Sequence, residues 1–148
     1  MATWLTYNST EGAIPRQASV VVLYEEAGGS VLFVRRNQEL AFMGGHHAFP
    51  GGRVSKFDTG CRVQHAADAE AARYLTAAVR EVFEETGLLL VSAPPDDTEF
   101  LTSARIAVIE APEKFEPFLE EAGVYIEAEA FVAAGRWITP SFSPMRFD

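Results

Sequence analysis

Residues 80–88 read Arg80-Glu81-Val82-Phe83-Glu84-Glu85-Thr86-Gly87-Leu88, and this stretch decides the fold. On a helix with about 100° between successive residues, its three glutamates project from one stripe roughly 100° wide. The opposite side is apolar and consists of Leu75, Val79, Val82 and Phe83. The pattern predicts a helix with a buried face and an acidic face, which ends at Thr86 because Gly87 follows.

The acidic face of this helix holds Glu81, Glu84 and Glu85 close enough to repel one another unless a cation lies among them. Hard carboxylate oxygens are the ligands that Mg²⁺ and Mn²⁺ prefer. Arg80 lies four residues before Glu84 and is placed to pair with it. The alternative is an ordinary solvated helical face, so the residues upstream have to decide between the two.

The upstream segment is Ala48-Phe49-Pro50-Gly51-Gly52, a short apolar run that leads into proline and two glycines. Such a segment predicts a strand that ends in a tight loop, where the backbone passes close to another part of the molecule. Taken alone it indicates only a turn.

Taken together, the glycine segment and the acidic helix resemble the Nudix box. That pattern is Gly, five residues, Glu, seven residues, Arg-Glu, an apolar residue, any residue, Glu-Glu, any residue, Gly and an apolar residue. Residues 80–88 match every specified position of the second half. In the first half, Asp58 stands where the family has glutamate, and 21 residues instead of seven separate it from Arg80. We interpret the extra fourteen residues as an insertion that lengthens the helix toward its N-terminus, and the role of Asp58 stays open.

Other segments resemble one branch of the family. Residues 31–36 and 40–52 are similar to the approach to the box in coenzyme A diphosphatases. The insertion, together with residues 136–140 and 146–148, is similar to the peroxisomal coenzyme A diphosphatases and their bacterial relatives.

The resemblance implies an α/β/α sandwich with a mixed β-sheet. It also implies metal-dependent hydrolysis of the diphosphate linkage of a nucleoside diphosphate derivative, with coenzyme A or acyl-coenzyme A as the expected substrate. An ADP-ribose or nucleoside-diphosphate-sugar pyrophosphatase is the alternative enzyme. The alternative of another class is a Nudix module that senses a nucleotide without cutting it.

The same resemblance assigns roles to individual residues. The expected ligands of Mg²⁺ or Mn²⁺ are Glu81, Glu84, Glu85 and the carbonyl oxygen of Gly52. Arg80 is expected to orient Glu84. The candidates for substrate contact are Arg35, Arg36 and His47, although two arginines that end an edge strand are often simply solvated. The sequence does not single out a general base, and the candidates are Glu110, Glu120 and Glu121.

Composition limits the remaining possibilities. The 148 residues, 48% of them hydrophobic, predict a single domain over 1–148. The net charge of −9 argues against binding to nucleic acid. The sequence shows no membrane span or secretory signal, and the single cysteine, Cys61, is compatible with a reducing cytoplasm. We interpret Cys61 as an ordinary small residue.

The apolar pattern predicts the other elements. Residues 18–24 and 31–34 indicate a hairpin around a Gly-Gly turn, and 46–50 and 102–110 indicate further strands. Residues 115–122 and 127–134 indicate helices separated by Gly123. At the end of the chain we expect either that the sequence continues or that another subunit completes the sheet as a homo-oligomer, which would show as an open sheet edge over 137–148. The alternative is that the last residues already cap the fold.

Overall fold

One long helix, α1 (Ala69–Thr86), organises the computed structural model, which describes residues 14–39, 43–143 and 145–148. The Asp68 carboxylate accepts a hydrogen bond of 2.8 Å from the Ala71 amide and caps its first turn. At the other end Gly87 has a φ of +80°, and its N–H donates to Phe83 O at 2.9 Å. The predicted end of the helix at Thr86 is confirmed.

Within the residues that the structure describes, eight short strands form four two-stranded pairs. They are β1 (Ala18–Val20), β2 (Tyr24–Glu25), β3 (Ser30–Val31), β4 (Val34–Arg35), β5 (His47–Ala48), β6 (Gly51–Arg53), β7 (Val63–Gln64) and β8 (Ile126–Glu127). The pairs β1·β6, β2·β3 and β4·β5 are antiparallel, and β7·β8 is parallel. This combination of helices with mixed strand pairing agrees with the predicted α/β class.

The first half of the chain folds close to prediction. Tyr24 lies opposite Val31, which confirms the predicted hairpin. The glycine segment differs, because Gly51 and Gly52 belong to a strand, β6, and not to a loop. Strand β6 pairs with β1 and packs against α1, so the two glycines lie between a strand and the acidic helix. The stretch Leu40-Ala41-Phe42, which belongs to the family resemblance, lies outside the described residues.

The strand predicted over 102–110 is wrong, because this segment belongs to a helix, α2 (Thr98–Glu110). Asp97 caps it by accepting from the Phe100 amide at 2.9 Å. The side chains of α2 that pack in the core are Phe100, Leu101, Ala104 and Val108, a spacing of three and four residues. A helical period was therefore present and was taken for strand alternation.

The helix α3 (Phe115–Ala122) matches its prediction and ends at Gly123. The helix predicted over 127–134 is wrong. Residues 126–127 form β8 and pair with β7, and only one 3₁₀ turn, Ala128–Ala130, follows. Pairing with a distant strand overrode the local helical preference in this segment.

The core lies between the apolar side of α1 and the helices α2 and α3. The ring of Phe83 stacks on Phe118 with centroids 5.2 Å apart, and Phe115 is tilted against both. The other buried members of the cluster are Val79, Leu89, Val108, Leu119, Val124 and Ile126. The predicted apolar face of α1 is therefore confirmed.

Val79 supplies a test of this core. Val79 is fully buried, so Val79→Ala should lower the free energy of unfolding by roughly 2 kcal/mol, through lost burial and the cavity that remains. Urea denaturation measures the change. Val132, which is 93% exposed, is the matched control, and Val132→Ala should leave stability nearly unchanged. Equal effects at the two positions would contradict this packing.

The chain's end differs from the open sheet edge expected over 137–148. Phe147 forms a parallel bridge with Arg16, and the Ala18 amide donates to Asp148 O at 2.9 Å. The backbone at 146–148 thus has partners in the same chain. Large apolar side chains nevertheless remain exposed nearby, as that expectation required, and Trp137 is 78% exposed. Within the described ranges, no helix combines the length and apolar character that spanning a membrane requires.

Candidate active site

Arg80 is the centre of the candidate site. Its side chain is buried in α1, and its guanidinium grips the Asp58 carboxylate with two hydrogen bonds, from Nε to Oδ1 at 2.8 Å and from Nη2 to Oδ2 at 3.0 Å. Asp58 is only 1% exposed and also accepts a bond of 2.6 Å from the Ser55 amide. The role of Asp58, which the sequence left open, is to hold this arginine.

The remaining donors of Arg80 reach the acidic face of the helix. Nη1 donates to Glu81 Oε1 at 2.9 Å and to Glu84 Oε1 at 2.8 Å, and Nη2 donates to the carbonyl of Arg53 at 2.9 Å. The predicted pairing of Arg80 with Glu84 is confirmed. Burial lowers the pKa of the Arg80 guanidinium, but hydrogen bonds to Asp58 and Glu84 outweigh it and raise the pKa overall. Arg80 is therefore a fixed positive charge bonded to three carboxylates, those of Asp58, Glu81 and Glu84.

The two glycines of β6 hold the other side of the acidic face. The Gly51 amide donates to Glu85 Oε2 at 3.1 Å. Gly52 faces Glu81 so closely that a β-carbon at position 52 would lie 2.3 Å from Glu81 Oε2. Any larger residue at 52 would displace that carboxylate, so the sequence needs glycine here for close approach.

Two of the glutamates have raised pKa values, chiefly because they are partly buried. Burial raises the pKa of Glu84, hydrogen bonding to Arg80 lowers it, and the nearby Glu81 raises it further, so that the pKa lies above its ordinary value. Burial also raises the pKa of Glu85, against the opposing effects of the Gly51 amide and Arg36. These two carboxylates hold their negative charge at a cost, which a cation would offset.

The residues present fit a divalent cation. The donor set is three carboxylates, and the space that a β-carbon at Gly52 would fill is occupied by the Glu81 carboxylate. Arg80 holds Glu81 and Glu84, whereas Gly51 holds Glu85, so each carboxylate is fixed toward the C-terminal part of α1. Their ligand atoms do not all lie within 4.8 Å of one another. The assignment of Glu81, Glu84, Glu85 and the Gly52 carbonyl as ligands remains a prediction.

A different set of ligand-type atoms lies within 4.8 Å of one another, on His65, Glu127 and Glu129, and it is the one such set found in the described part of the chain. His65 Nδ1 and Glu127 Oε1 are 2.8 Å apart. The hydrogen bond to Glu127 raises the pKa of His65, and the same bond lowers the pKa of Glu127. We interpret this exposed group as an ion pair.

The His65–Glu127 pair predicts a pH dependence of stability. The raised pKa of His65 stabilises the fold below its ordinary value of 6.5, and this contribution is lost as pH rises through the raised pKa. The lowered pKa of Glu127 stabilises the fold above its ordinary value of 4.5. The difference in Tm between wild type and His65→Gln should therefore be largest between these two values and shrink by pH 8. A difference that does not change with pH would contradict the pair.

The three candidates for substrate contact do not share a face. Arg35 and His47 lie opposite each other in β4·β5 and are exposed, so their side chains leave the same face. Arg36 leaves the other face, where it lowers the pKa of Glu85 through its charge. The Nε of Arg36 is buried and has no hydrogen-bond partner among the described residues. Arg36 is thus the candidate whose charge acts on the carboxylates of α1.

The general-base candidates gain no support from these contacts. Glu110 ends α2, Glu120 and Glu121 lie on α3, and all three are exposed. In the described chain, none of their side chains forms a hydrogen bond or ion pair with the acidic face of α1.

Cys61 is not suited to act as a nucleophile. Burial, followed by the charges of Glu116 and Asp58, raises the pKa of its thiol to about 12.

Sequence reasoning missed one residue at this site, Arg105. Its guanidinium donates to the backbone carbonyls of Phe83, Glu84 and Glu85. The residue carried no motif and lay in a segment interpreted as a strand. Correct recognition of the helical period in α2 would have placed an arginine on a face turned toward α1.

Comparisons with known proteins identify the family and the fold of the chain. The family model of the NUDIX domain matches residues 14–141. A solved structure, the crystal structure of a NUDIX hydrolase from Alicyclobacillus acidocaldarius, superposes with a TM-score of 0.73 at 24% sequence identity, covering 91% of this chain and 67% of that one. That likeness supports the predicted Nudix fold and its α/β/α sandwich. No match was found among curated proteins. The chain therefore belongs to the NUDIX domain family.

Proposed function

We propose that this protein is a Mg²⁺- or Mn²⁺-dependent diphosphatase that cleaves coenzyme A or acyl-coenzyme A. The observation that carries the diphosphatase part is the arrangement of the acidic face of α1. There Arg80, itself held by the buried Asp58, binds Glu81 and Glu84, and the Gly51 amide binds Glu85. A solvated helical face would not need a buried arginine and two closely packed glycines to fix its carboxylates.

A divalent cation held by Glu81, Glu84, Glu85 and the Gly52 carbonyl would supply charge that neutralises the diphosphate oxygens and lowers the pKa of the attacking water. The chain's own groups provide order. Arg80 fixes the orientation of the Glu81 and Glu84 side chains, so these carboxylates need not be oriented during the reaction. The Gly51 amide fixes the third.

Arg36 is the substrate-binding residue that this proposal favours. A diphosphate carries negative charge that repels the carboxylates of α1, and a guanidinium on the same side offsets that repulsion. The charge of Arg36 acts on Glu85, so among the three candidates this arginine is the one placed to bind a phosphate beside the carboxylates of α1. Arg35 and His47, on the other face of β4·β5, would contact only a part of the substrate that extends around that strand pair.

The choice of coenzyme A rests on the similarity of residues 31–36 and 40–52 to the approach to the box in coenzyme A diphosphatases, and on the long spacing from Asp58 to Arg80. In the reaction a water oxygen bonds to one phosphorus and the bridging P–O bond breaks. The bridging oxygen leaves with the other phosphate. We include a cytoplasmic location and a homo-oligomer in the proposal, supported by the single Cys61 and by exposed apolar side chains such as Trp137 and Phe142.

The deciding experiment incubates the protein with Mg²⁺ or Mn²⁺ and a panel of coenzyme A, acetyl-coenzyme A, ADP-ribose, a nucleoside diphosphate sugar and a dinucleotide. Mass spectrometry identifies the products, and reaction in H₂¹⁸O marks the attacked phosphorus. We expect 3′,5′-ADP and a 4′-phosphopantetheine product from coenzyme A. A specificity constant tenfold higher for ADP-ribose would establish the alternative pyrophosphatase. Binding of a nucleotide without any cleavage would establish the sensor.

A further inference from the structure

The C-terminal end of α1 carries an excess of negative charge. Glu84 and Glu85 lie in its last turn, and that turn holds no basic residue of its own. The C-terminus of a helix is the negative end of its dipole, so carboxylates there are destabilising. The last carbonyl groups of a helix also lack partners within the helix. The turn that carries two of the proposed metal ligands therefore needs support from elsewhere.

Arg105 of α2 supplies this support. Its Nε donates to Phe83 O at 3.1 Å and to Glu84 O at 3.0 Å. Its Nη2 donates to Glu84 O at 2.8 Å and to Glu85 O at 3.2 Å. One guanidinium thus satisfies three consecutive carbonyls at the negative end of the helix. The Gly87 amide also donates to Phe83 O.

The side chain of Arg105 lies close to Gly87, the residue that ends α1. A β-carbon at position 87 would meet the Arg105 side chain at ordinary contact distance, with 3.8 Å to its Cδ, so the guanidinium lies directly against the end of the helix. Arg105 is partly buried there. Its planar fork reaches several carbonyls at once, whereas a lysine amine concentrates its donors at one point.

We propose that Arg105 is a positioning residue for cation binding. By fixing the backbone of Glu84 and Glu85 and by countering the negative charge at the end of α1, it holds their carboxylates where a divalent cation binds. Arg105 itself contacts neither the carboxylate groups nor the cation. The inference rests on the proposed function, because it assumes that these glutamates bind a cation.

The test compares Arg105→Met and Arg105→Lys with wild type. Arg62→Met is the matched control, because Arg62 lies over the Tyr125 ring, makes no contact with the end of α1 and loses the same charge on substitution. Binding of Mn²⁺ alone is measured by electron paramagnetic resonance without substrate. The Tm and the Mn²⁺ dependence of coenzyme A hydrolysis are measured beside it.

We expect Arg105→Met to raise the Kd for Mn²⁺ by about tenfold or more, in the range found for residues that orient metal ligands. The Mn²⁺ concentration for half-maximal activity should rise in parallel, while kcat at saturating Mn²⁺ recovers most of its wild-type value. Arg105→Lys should weaken binding less, and Arg62→Met should not change it. This split between cation affinity and kcat separates positioning from a general loss of stability.

A Kd for Mn²⁺ within twofold of wild type in folded Arg105→Met would overturn the proposal, whatever happens to Tm. If Arg105→Met does not fold, Arg105→Lys decides by the same criterion, with weakened binding in support and unchanged binding against. Wild-type protein that binds Mn²⁺ but cuts no diphosphate would overturn the proposed function and leave the role of Arg105 standing. Wild-type protein that binds no Mn²⁺ would overturn this inference.

Discussion

Glu84→Gln and Glu85→Gln should each lower turnover by roughly 100-fold or more, the order associated with removal of one electrostatic group from an active site. Each substitution keeps the size of the side chain and removes one negative charge. Glu84 would still accept from Arg80 and Glu85 from the Gly51 amide through the amide oxygen, so the fold should survive. The Tm should stay the same or rise, because like charges at the end of α1 are reduced.

Activity at limiting and saturating Mg²⁺ measures the effect. Glu70→Gln is the control, since Glu70 lies in the first turn of the same helix and is exposed. It should keep wild-type turnover. If Glu84→Gln or Glu85→Gln also keeps wild-type turnover at limiting Mg²⁺, that residue is not a metal ligand. A collapse of Tm together with activity would show a structural role.

Asp58→Asn should lower the free energy of unfolding by about 3 to 5 kcal/mol, the range for removal of one charged partner from a buried ion pair. Asp58 is almost fully buried, and its carboxylate accepts hydrogen bonds from two nitrogens of Arg80, which is also buried. An asparagine of the same shape offers one acceptor and no charge. Activity should fall as well, because Arg80 would no longer present a fixed face to Glu81 and Glu84.

Urea denaturation of the metal-free protein gives the free energy directly. The matched control is Asp148→Asn, which removes the same charge from an exposed pair with Arg136. That pair is screened by water, so its loss should change stability little. A loss below about 1 kcal/mol at Asp58 would mean that Glu81 and Glu84, which Arg80 already contacts, are sufficient partners for it, against the role assigned to Asp58.

The sequence was sufficient for α1, because three independent signals agree there. The glutamates and the apolar residues Val79 and Phe83 share one helical period, and Gly87 marks the end. The pairing of Arg80 with Glu84 followed from the same period. Local signals of this kind need no knowledge of distant chain segments.

The rest of the site depended on contacts between distant segments. Asp58 and Arg80 are 22 residues apart, and Arg105 reaches carbonyls 20 to 22 residues before it. The predictions for residues 102–110 and 127–134 were wrong for related reasons. In α2, the exposed Ile106 and Ile109 blurred the helical pattern. At residues 126–127, pairing with β7 overcame the preference of an alanine- and glutamate-rich segment for helix.

The parallel pair β7·β8 has a consequence for the order in which the molecule can form. Strand β7 lies in the sequence between the two halves of the Nudix box, and its partner strand, β8, follows α3. His65 and Glu127, which bond next to this pair, are 62 positions apart. The helix α1 is synthesised before this partner strand and before Arg105. A nascent chain that has reached only residue 90 therefore holds every proposed cation ligand but lacks two of the supports that hold the ligand helix. Such a long loop closes slowly, so the ability to bind a cation should mature late in folding.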